Sequence, residues 1–143
     1  LLSCTDIVPN LCDSSLTENN CSKILFVTTG GMYSEVLVAT RSLALENIYS
    51  DIYSLRFIKP LDEKYFLEIA AKYDGIVFVE DGIISGGISE YLSCLCAKNG
   101  ITNFCVNAFS EKFYPNGTRA QICKLAHISS ADIKNSALSL LKK

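Results

Sequence analysis

The chain has 143 residues, of which 49% are hydrophobic and 20% are charged, and its formal net charge is −2. This length suits one domain with a substantial buried core, and no apolar run approaches the ~20 residues that a membrane-spanning helix needs. The charges are of mixed sign and form no basic stripe, which argues against a nucleic-acid partner, just as the short apolar runs argue against a membrane partner.

Residues 1–20 are weakly patterned and become polar toward their end. We interpret them as a linker or edge segment, with a short edge strand near Ile7 and Val8, and we place one domain at residues 21–143. The chain begins with Leu1, its single methionine is Met32 inside a predicted helix, and its first residues lack the pattern of a signal peptide. We therefore interpret the chain as a fragment of a longer polypeptide.

Strand and helix patterns alternate from residue 23 onward. Apolar and β-branched runs predict four strands, at residues 24–28, 52–55, 76–79 and 104–106. Helical periodicity predicts helices in the segments 30–43, 62–73, 88–98, 118–125 and 129–141. The expected N-caps are Asp62, Thr118 and either Ser129 or Ser130, and the second helix is expected to bury Tyr73.

This alternation is typical of βαβ units, whose strands form a parallel sheet between two layers of helices. We predict an α/β fold of the three-layer α/β/α sandwich type, with a mostly parallel sheet of about five strands.

Seven cysteines are scattered through the apolar segments. An odd number in this distribution does not indicate a disulfide framework. We expect buried, reduced thiols in a cytoplasmic protein, or in a plastid-type organelle if the source is a plastid-bearing eukaryote. Cys94 and Cys96 are two residues apart on a predicted helix, so they point in different directions and are not expected to bind one metal ion.

Glycine pairs after two predicted strands are candidate ligand loops. Gly30 and Gly31 either cradle a phosphate at the start of a helix or form a tight strand-to-helix turn. The segment lacks both the dinucleotide-binding fingerprint and the Walker lysine, which favours the tight turn. Gly86 and Gly87, with Gly82 before them, allow close approach of a neighbouring domain or a ligand.

Two carboxylates, Glu80 and Asp81, end the third predicted strand, where α/β folds place their sites. Adjacent side chains on an extended strand point apart, which favours a structural or interdomain role over a paired acid and base. Arg56 either binds an anion or pairs with one of these carboxylates, and we favour the pairing. The complete set of candidate interdomain or anion-facing residues is Gly30, Gly31, Arg56, Glu80, Asp81, Gly82, Gly86 and Gly87.

The single histidine, His127, lies between two predicted helices, where we expect it to end the first of them in a left-handed conformation. The sequence has no nucleophile elbow, no Cys-x-x-Cys motif and no metal-ligand spacing. Taken alone, it indicates no catalytic, cofactor-binding or metal-binding residue.

Four blocks of sequence resemble the C-terminal domain of the transketolase-like, thiamine-diphosphate-dependent enzymes. They are Val-Thr-Thr-Gly-Gly-Met at 27–32, Phe-Ile-Lys-Pro-Leu-Asp at 57–62, Val-Glu-Asp at 79–81 with Gly-Gly at 86–87, and Phe-Tyr-Pro-Asn-Gly-Thr at 113–118. The second and fourth blocks are most similar to the 1-deoxy-D-xylulose-5-phosphate synthase family.

The resemblance implies a homodimeric parent enzyme, a transferase that joins pyruvate to glyceraldehyde 3-phosphate with loss of carbon dioxide, at the entry to non-mevalonate isoprenoid synthesis. That family uses thiamine diphosphate and Mg²⁺, held by upstream domains whose motifs have no match here. The chain is then a non-catalytic domain that contacts the upstream domains and supports the dimer. Two alternatives stay open: a domain of a transketolase or of a 2-oxo acid dehydrogenase β-subunit, and a free-standing ligand-binding or interaction domain.

Overall fold

The computed structural model of the chain describes residues 7–8 and 23–142. Its strands are β1 (Ile7–Val8), β2 (Lys23–Thr29), β3 (Tyr49–Leu55), β4 (Gly75–Ile83) and β5 (Phe104–Phe109). Its helices are α1 (Tyr33–Ala44, after a 3-10 turn at Gly30–Met32), α2 (Glu63–Ala70), α3 (Ile88–Lys98), α4 (Arg119–Leu125) and α5 (Ser130–Leu140). The strands form one sheet in the order β1-β3-β2-β4-β5.

Strands β2 to β5 are parallel, and β1 pairs with β3 in the antiparallel direction at the edge of the sheet. The connection from β2 to β3 runs one way across the sheet, and the next two connections run the other way. Right-handed crossovers therefore place α1 on one face and α2 and α3 on the opposite face. The prediction of a mostly parallel sheet between two helical layers is confirmed.

Each face of the sheet has its own apolar core, because successive side chains of a strand point to opposite faces. On the face covered by α1 and α5, the strands contribute Ile24, Phe26, Ile52, Val77 and Val79. On the face covered by α2 and α3, they contribute Leu25, Val27, Tyr53, Leu55, Ile76 and Phe78. The near-continuous apolar runs of the sequence follow from this two-sided burial.

The predicted N-caps and the conformation of His127 are confirmed. The Asp62 side chain accepts a hydrogen bond from the backbone N–H of Tyr65 at 3.0 Å, and Thr118 and Ser129 both form capping boxes. His127 follows α4 with a φ of 57°, the left-handed conformation expected of it.

Tyr73 differs from its prediction, because α2 ends at Ala70 and Tyr73 lies in the turn beyond it. Its hydroxyl donates a 2.6 Å hydrogen bond to Oδ2 of the buried Asp51. Burial, and then this carboxylate, raise the pKa of Tyr73 well above its ordinary value. Tyr73 thus packs partly against the core between the sheet and α2, and its hydroxyl donates a hydrogen bond to Asp51.

The expectation of buried thiols is correct for Cys96 and Cys123 but wrong for Cys94, which is exposed. The reason is the helical period: positions two apart on α3 lie on different faces, and Cys96 takes the apolar one. Cys4, Cys12 and Cys21, like residues 1–6 and 9–20 of the predicted linker, lie outside the described residues. None of the helices in the described ranges has the length and apolarity needed to cross a bilayer.

Candidate functional site

The candidate residues converge at the carboxyl ends of β2 and β4. These two strands are neighbours, and the chain leaves them in opposite directions across the sheet. Such a switch point opens a crevice between the two following loops, and open α/β sheets bind their ligands there. The glycine turn after β2 and the carboxylates of β4 meet at this crevice.

A cleft of about 650 Å³ opens beside the switch point, between the turn after β3 and the start of α3. That turn contains a cis Lys59–Pro60 peptide. The cleft is lined by Thr29, Ile58, Lys59, Leu61, Glu63, Glu80, Asp81, Gly82, Gly86, Gly87, Ile88 and Tyr91. Its charged lining consists of one basic and three acidic side chains, so the cleft is acidic.

Glu80 lies inside β4, because the strand runs four residues beyond its predicted end, to Ile83. Its side chain is directed to the α3 face and is 3% exposed. Oε2 accepts a hydrogen bond from the backbone N–H of Ser89 at 3.2 Å, in the first turn of α3. Oε1 is buried and has no hydrogen-bond partner among the described residues.

Asp81 points to the other face of β4, as expected for adjacent carboxylates on an extended strand. Its Oδ1 accepts a 3.4 Å hydrogen bond from the Thr29 hydroxyl, and its Oδ2 lies 4.0 Å from Nη1 of Arg119. Arg119 also donates to the carbonyl oxygen of Gly31. The arginine therefore joins α4, β4 and the turn after β2 into one cluster.

Two glycines make room for these two carboxylates. A Cβ added to Gly31 would lie 2.6 Å from Cγ of Asp81, and one added to Gly87 would lie 2.9 Å from Cδ of Glu80 and 2.5 Å from the carbonyl oxygen of Ile83. Real Cβ atoms do not approach neighbours this closely, so a side chain at Gly31 would displace the Asp81 carboxylate, and one at Gly87 would also displace backbone. Neighbouring Gly86 has a φ of +80° and donates its N–H to Glu90 Oε2 at 2.5 Å.

Large exposed apolar side chains lie at the same edge of the sheet as the cleft, and two of them, Ile58 and Tyr91, line it. The described part of the chain has ten large apolar side chains that are exposed, and seven of them lie at the carboxyl edge of the sheet. We call these seven the apolar collar: Phe57, Ile58, Tyr65, Ile83, Ile84, Tyr91 and Phe113. Clustered exposed apolar surface of this kind is typical of interaction sites.

A sequence model described as the transketolase C-terminal domain matches residues 15–133 of the chain. The chain belongs to the transketolase C-terminal domain family.

The similar proteins of known sequence are larger enzymes. The chain is 43% identical over 125 residues to a 1-deoxy-D-xylulose-5-phosphate synthase of Treponema pallidum (strain Nichols), covering 87% of this chain and 20% of the relative. It is 30% identical over 124 residues to the synthase of Natranaerobius thermophilus, covering 85% of this chain and again 20% of the relative. The resemblance predicted from the motifs is confirmed, and the chain spans about a fifth of the length of these relatives.

A solved structure supports the fold alone. The chain superposes with a TM-score of 0.77 on a chain described as a split gene transketolase, inactive β4 tetramer, at 16% identity. The match covers 86% of this chain and 40% of the other. The sheet order and helix layers are therefore shared with part of a solved transketolase chain.

The cofactor of the parent family does not fit the described residues of this domain. A diphosphate needs cationic or N–H donors, whereas the cleft presents Glu63, Glu80 and Asp81 against Lys59 alone. Within the described ranges no three His, Cys, Asp or Glu side chains are grouped closely enough to hold a metal ion.

Five of the sequence candidates line the cleft, and Gly31 lies against the Asp81 side chain beside it. Arg56 is outside the cleft lining, and its predicted pairing with a carboxylate stays a prediction. Arg119, which the sequence analysis did not single out, approaches Asp81. Arg119 is the first residue of α4, so its sequence position gave no sign that it reaches a turn 88 residues earlier. The interdomain role of the loop residues stays a prediction.

Proposed function

We propose that this chain is the non-catalytic C-terminal domain of a thiamine-diphosphate-dependent 1-deoxy-D-xylulose-5-phosphate synthase. The proposal rests on the similarity of this chain, over 125 residues, to a synthase. The matched segment is only 20% of that synthase. The parent enzyme condenses pyruvate with glyceraldehyde 3-phosphate, acts as a homodimer and is cytoplasmic. Thiamine diphosphate and Mg²⁺ supply the carbanion chemistry from the upstream domains.

The domain's own contribution is to dock on those upstream domains through the carboxyl edge of its sheet. The apolar collar supports this role, because burying seven large side chains against a partner supplies the hydrophobic driving force of a stable interface. The loop residues Gly30, Gly31, Arg56, Glu80, Asp81, Gly82, Gly86 and Gly87 then face the interface rather than a substrate.

The activity of the intact parent chain tests this assignment. Carbon dioxide release from pyruvate is followed with thiamine diphosphate and Mg²⁺, with and without glyceraldehyde 3-phosphate, and with the cofactor omitted as control. Release that requires both substrates is the expected result. Ketol transfer between sugar phosphates would instead assign a transketolase, and decarboxylation coupled to lipoyl acylation would assign a 2-oxo acid dehydrogenase. If none of these activities is found, the remaining assignment is a free-standing interaction domain.

The docking role is tested by replacing a collar residue in the intact parent. Ile83→Ser removes apolar area from an exposed position, 52% accessible in this domain. Hydrogen exchange at the turn residues 57–61 should accelerate, while exchange in α5, on the far side of the sheet, stays unchanged. Unchanged exchange in both segments would contradict docking through this edge.

A further inference from the structure

Glu80 is buried without enough partners. Its side chain is 3% exposed, one oxygen accepts a single backbone hydrogen bond from Ser89, and the other oxygen has no partner among the described residues. A carboxylate in this state is costly, and buried charges in native proteins are paired or fully hydrogen-bonded. The domain alone therefore leaves this position incomplete.

The surroundings of Glu80 call for a donor and not for an anion. The N–H group of Ser89 in the first turn of α3, where an anion would bind, already donates to Glu80 Oε2. Beside Gly87, two acceptors lie next to each other, Oε1 of Glu80 and the carbonyl oxygen of Ile83. Two converging acceptors match the several N–H donors of a guanidinium or an ammonium group.

The other acidic groups of the cleft have partners within the domain. Asp81 has Thr29 and Arg119, and Glu63 accepts a hydrogen bond from the Tyr91 hydroxyl. Glu80 is thus the acidic lining residue with an oxygen, Oε1, that can still accept a hydrogen bond from a partner. The net negative charge of the lining makes a cationic partner the complementary one.

We infer that the Glu80 carboxylate receives a lysine or arginine side chain from a preceding domain of the same polypeptide when the apolar collar docks. This inference rests on the proposed function. The matched segment is only 20% of the synthase relative, so under the proposed function the parent has further domains that can supply such a partner surface. Ile58 and Tyr91 both line the cleft and belong to the collar, so docking excludes water around the pair and strengthens it.

The test measures hydrogen exchange in the intact parent at turn residues 57–61 and, as a fold control, in α5. Glu80→Gln keeps the side-chain shape and removes the charge, and Glu68→Gln makes the same change at an exposed position on α2 outside the cleft. We expect Glu80→Gln to lower protection at 57–61 about 30-fold or more, the factor that corresponds to breaking a buried charge pair. Glu68→Gln should leave it unchanged.

Each outcome separates this inference from the docking role. If Ile83→Ser lowers protection and Glu80→Gln does not, docking stands and the charge pairing is refuted. If neither variant changes protection, the docking role itself fails. Protection that depends on protein concentration would identify a second copy of the chain as the occupant and refute the same-chain cation.

Loss of protection in α5 would show that Glu80→Gln does not fold. In that case a second measurement replaces the first. Lysines and arginines of the preceding domains are replaced one at a time by methionine, with Glu80 intact. One of these variants should reproduce the 30-fold loss at residues 57–61 and keep α5 protected. The absence of any such residue overturns the inference.

Discussion

Gly87→Ala tests the close packing on which the site depends. The added Cβ would lie 2.5 Å from the Ile83 carbonyl oxygen and 2.9 Å from Cδ of Glu80. The Glu80 side chain can rotate only within a buried space, and the carbonyl belongs to the last residue of β4, so the end of the strand or the start of α3 must move. Gly87 has φ −76° and ψ 169°, which alanine adopts freely, so backbone strain does not contribute.

The expected cost follows from overpacking, which typically destabilises by about 1–3 kcal/mol. Restricting the unfolded chain by replacing glycine returns about 0.4–1 kcal/mol. The net loss should be about 1–2 kcal/mol, equivalent to a fall of roughly 3–10 °C in Tm for a chain of this size. Urea and thermal unfolding of the chain measure both quantities.

Gly30→Ala is the matched control, because a Cβ there meets nothing within 4 Å. Its free energy of unfolding should stay within about 0.5 kcal/mol of the parent sequence, as for other unstrained surface changes. The double variant Glu80→Ala with Gly87→Ala should recover only part of the loss, since the contact with the Ile83 carbonyl remains. If Gly87→Ala and Gly30→Ala unfold at the same urea concentration, the packing argument is wrong.

Three further predictions concern the rest of the domain. Burial raises the pKa of Cys96 from 9.0 to about 11, so between these pH values the folded state keeps a proton that the unfolded chain has lost. The free energy of unfolding should therefore fall between pH 9 and 11. The contribution of this thiol to the fall should be absent in Cys96→Ala. Tyr73→Phe leaves the Asp51 carboxylate without its 2.6 Å donor and should cost about 2 kcal/mol in urea unfolding, whereas a loss under 0.5 kcal/mol would contradict the role of this bond. Thr118→Ala removes the capping box of α4 and should cost about 1 kcal/mol, with Thr118→Ser, which retains the hydroxyl, near the original stability.

The order of strands, helices and caps could be predicted because each is encoded locally. Apolar runs such as 24–28 identify strands that are buried on both faces, and Asp62 and Thr118 precede their helices as N-caps do. The predicted element boundaries were wrong where pairing with a neighbouring element sets the boundary. Strand β4 continues through Glu80 to Ile83 because Ile83 pairs with Phe109 of β5, a partner that local periodicity does not reveal.

The site could be located from the sequence but not described. Placing Glu80 and Asp81 at a carboxyl edge required only the strand pattern, and their opposite directions followed from the strand period. The burial of Glu80 depends on the loop that folds back over it at Gly87, and the partner of Asp81 comes from α4, 38 positions later. Neither of these two contacts can be predicted from the spacing of residues in the sequence.

At the switch point between β2 and β4, the space beside the glycine turn is filled by the chain's own side chains. In nucleotide-binding sheets a glycine after the first strand lets a phosphate approach the backbone at the crevice. Here the space that Gly31 leaves is filled by the Asp81 carboxylate, and Arg119 contacts both that carboxylate and the Gly31 carbonyl. The position where the architecture would accept an anionic ligand is thus occupied by the domain's own anion. What remains open at this edge is an acidic cleft within an apolar collar, and that combination suits a protein surface rather than a substrate.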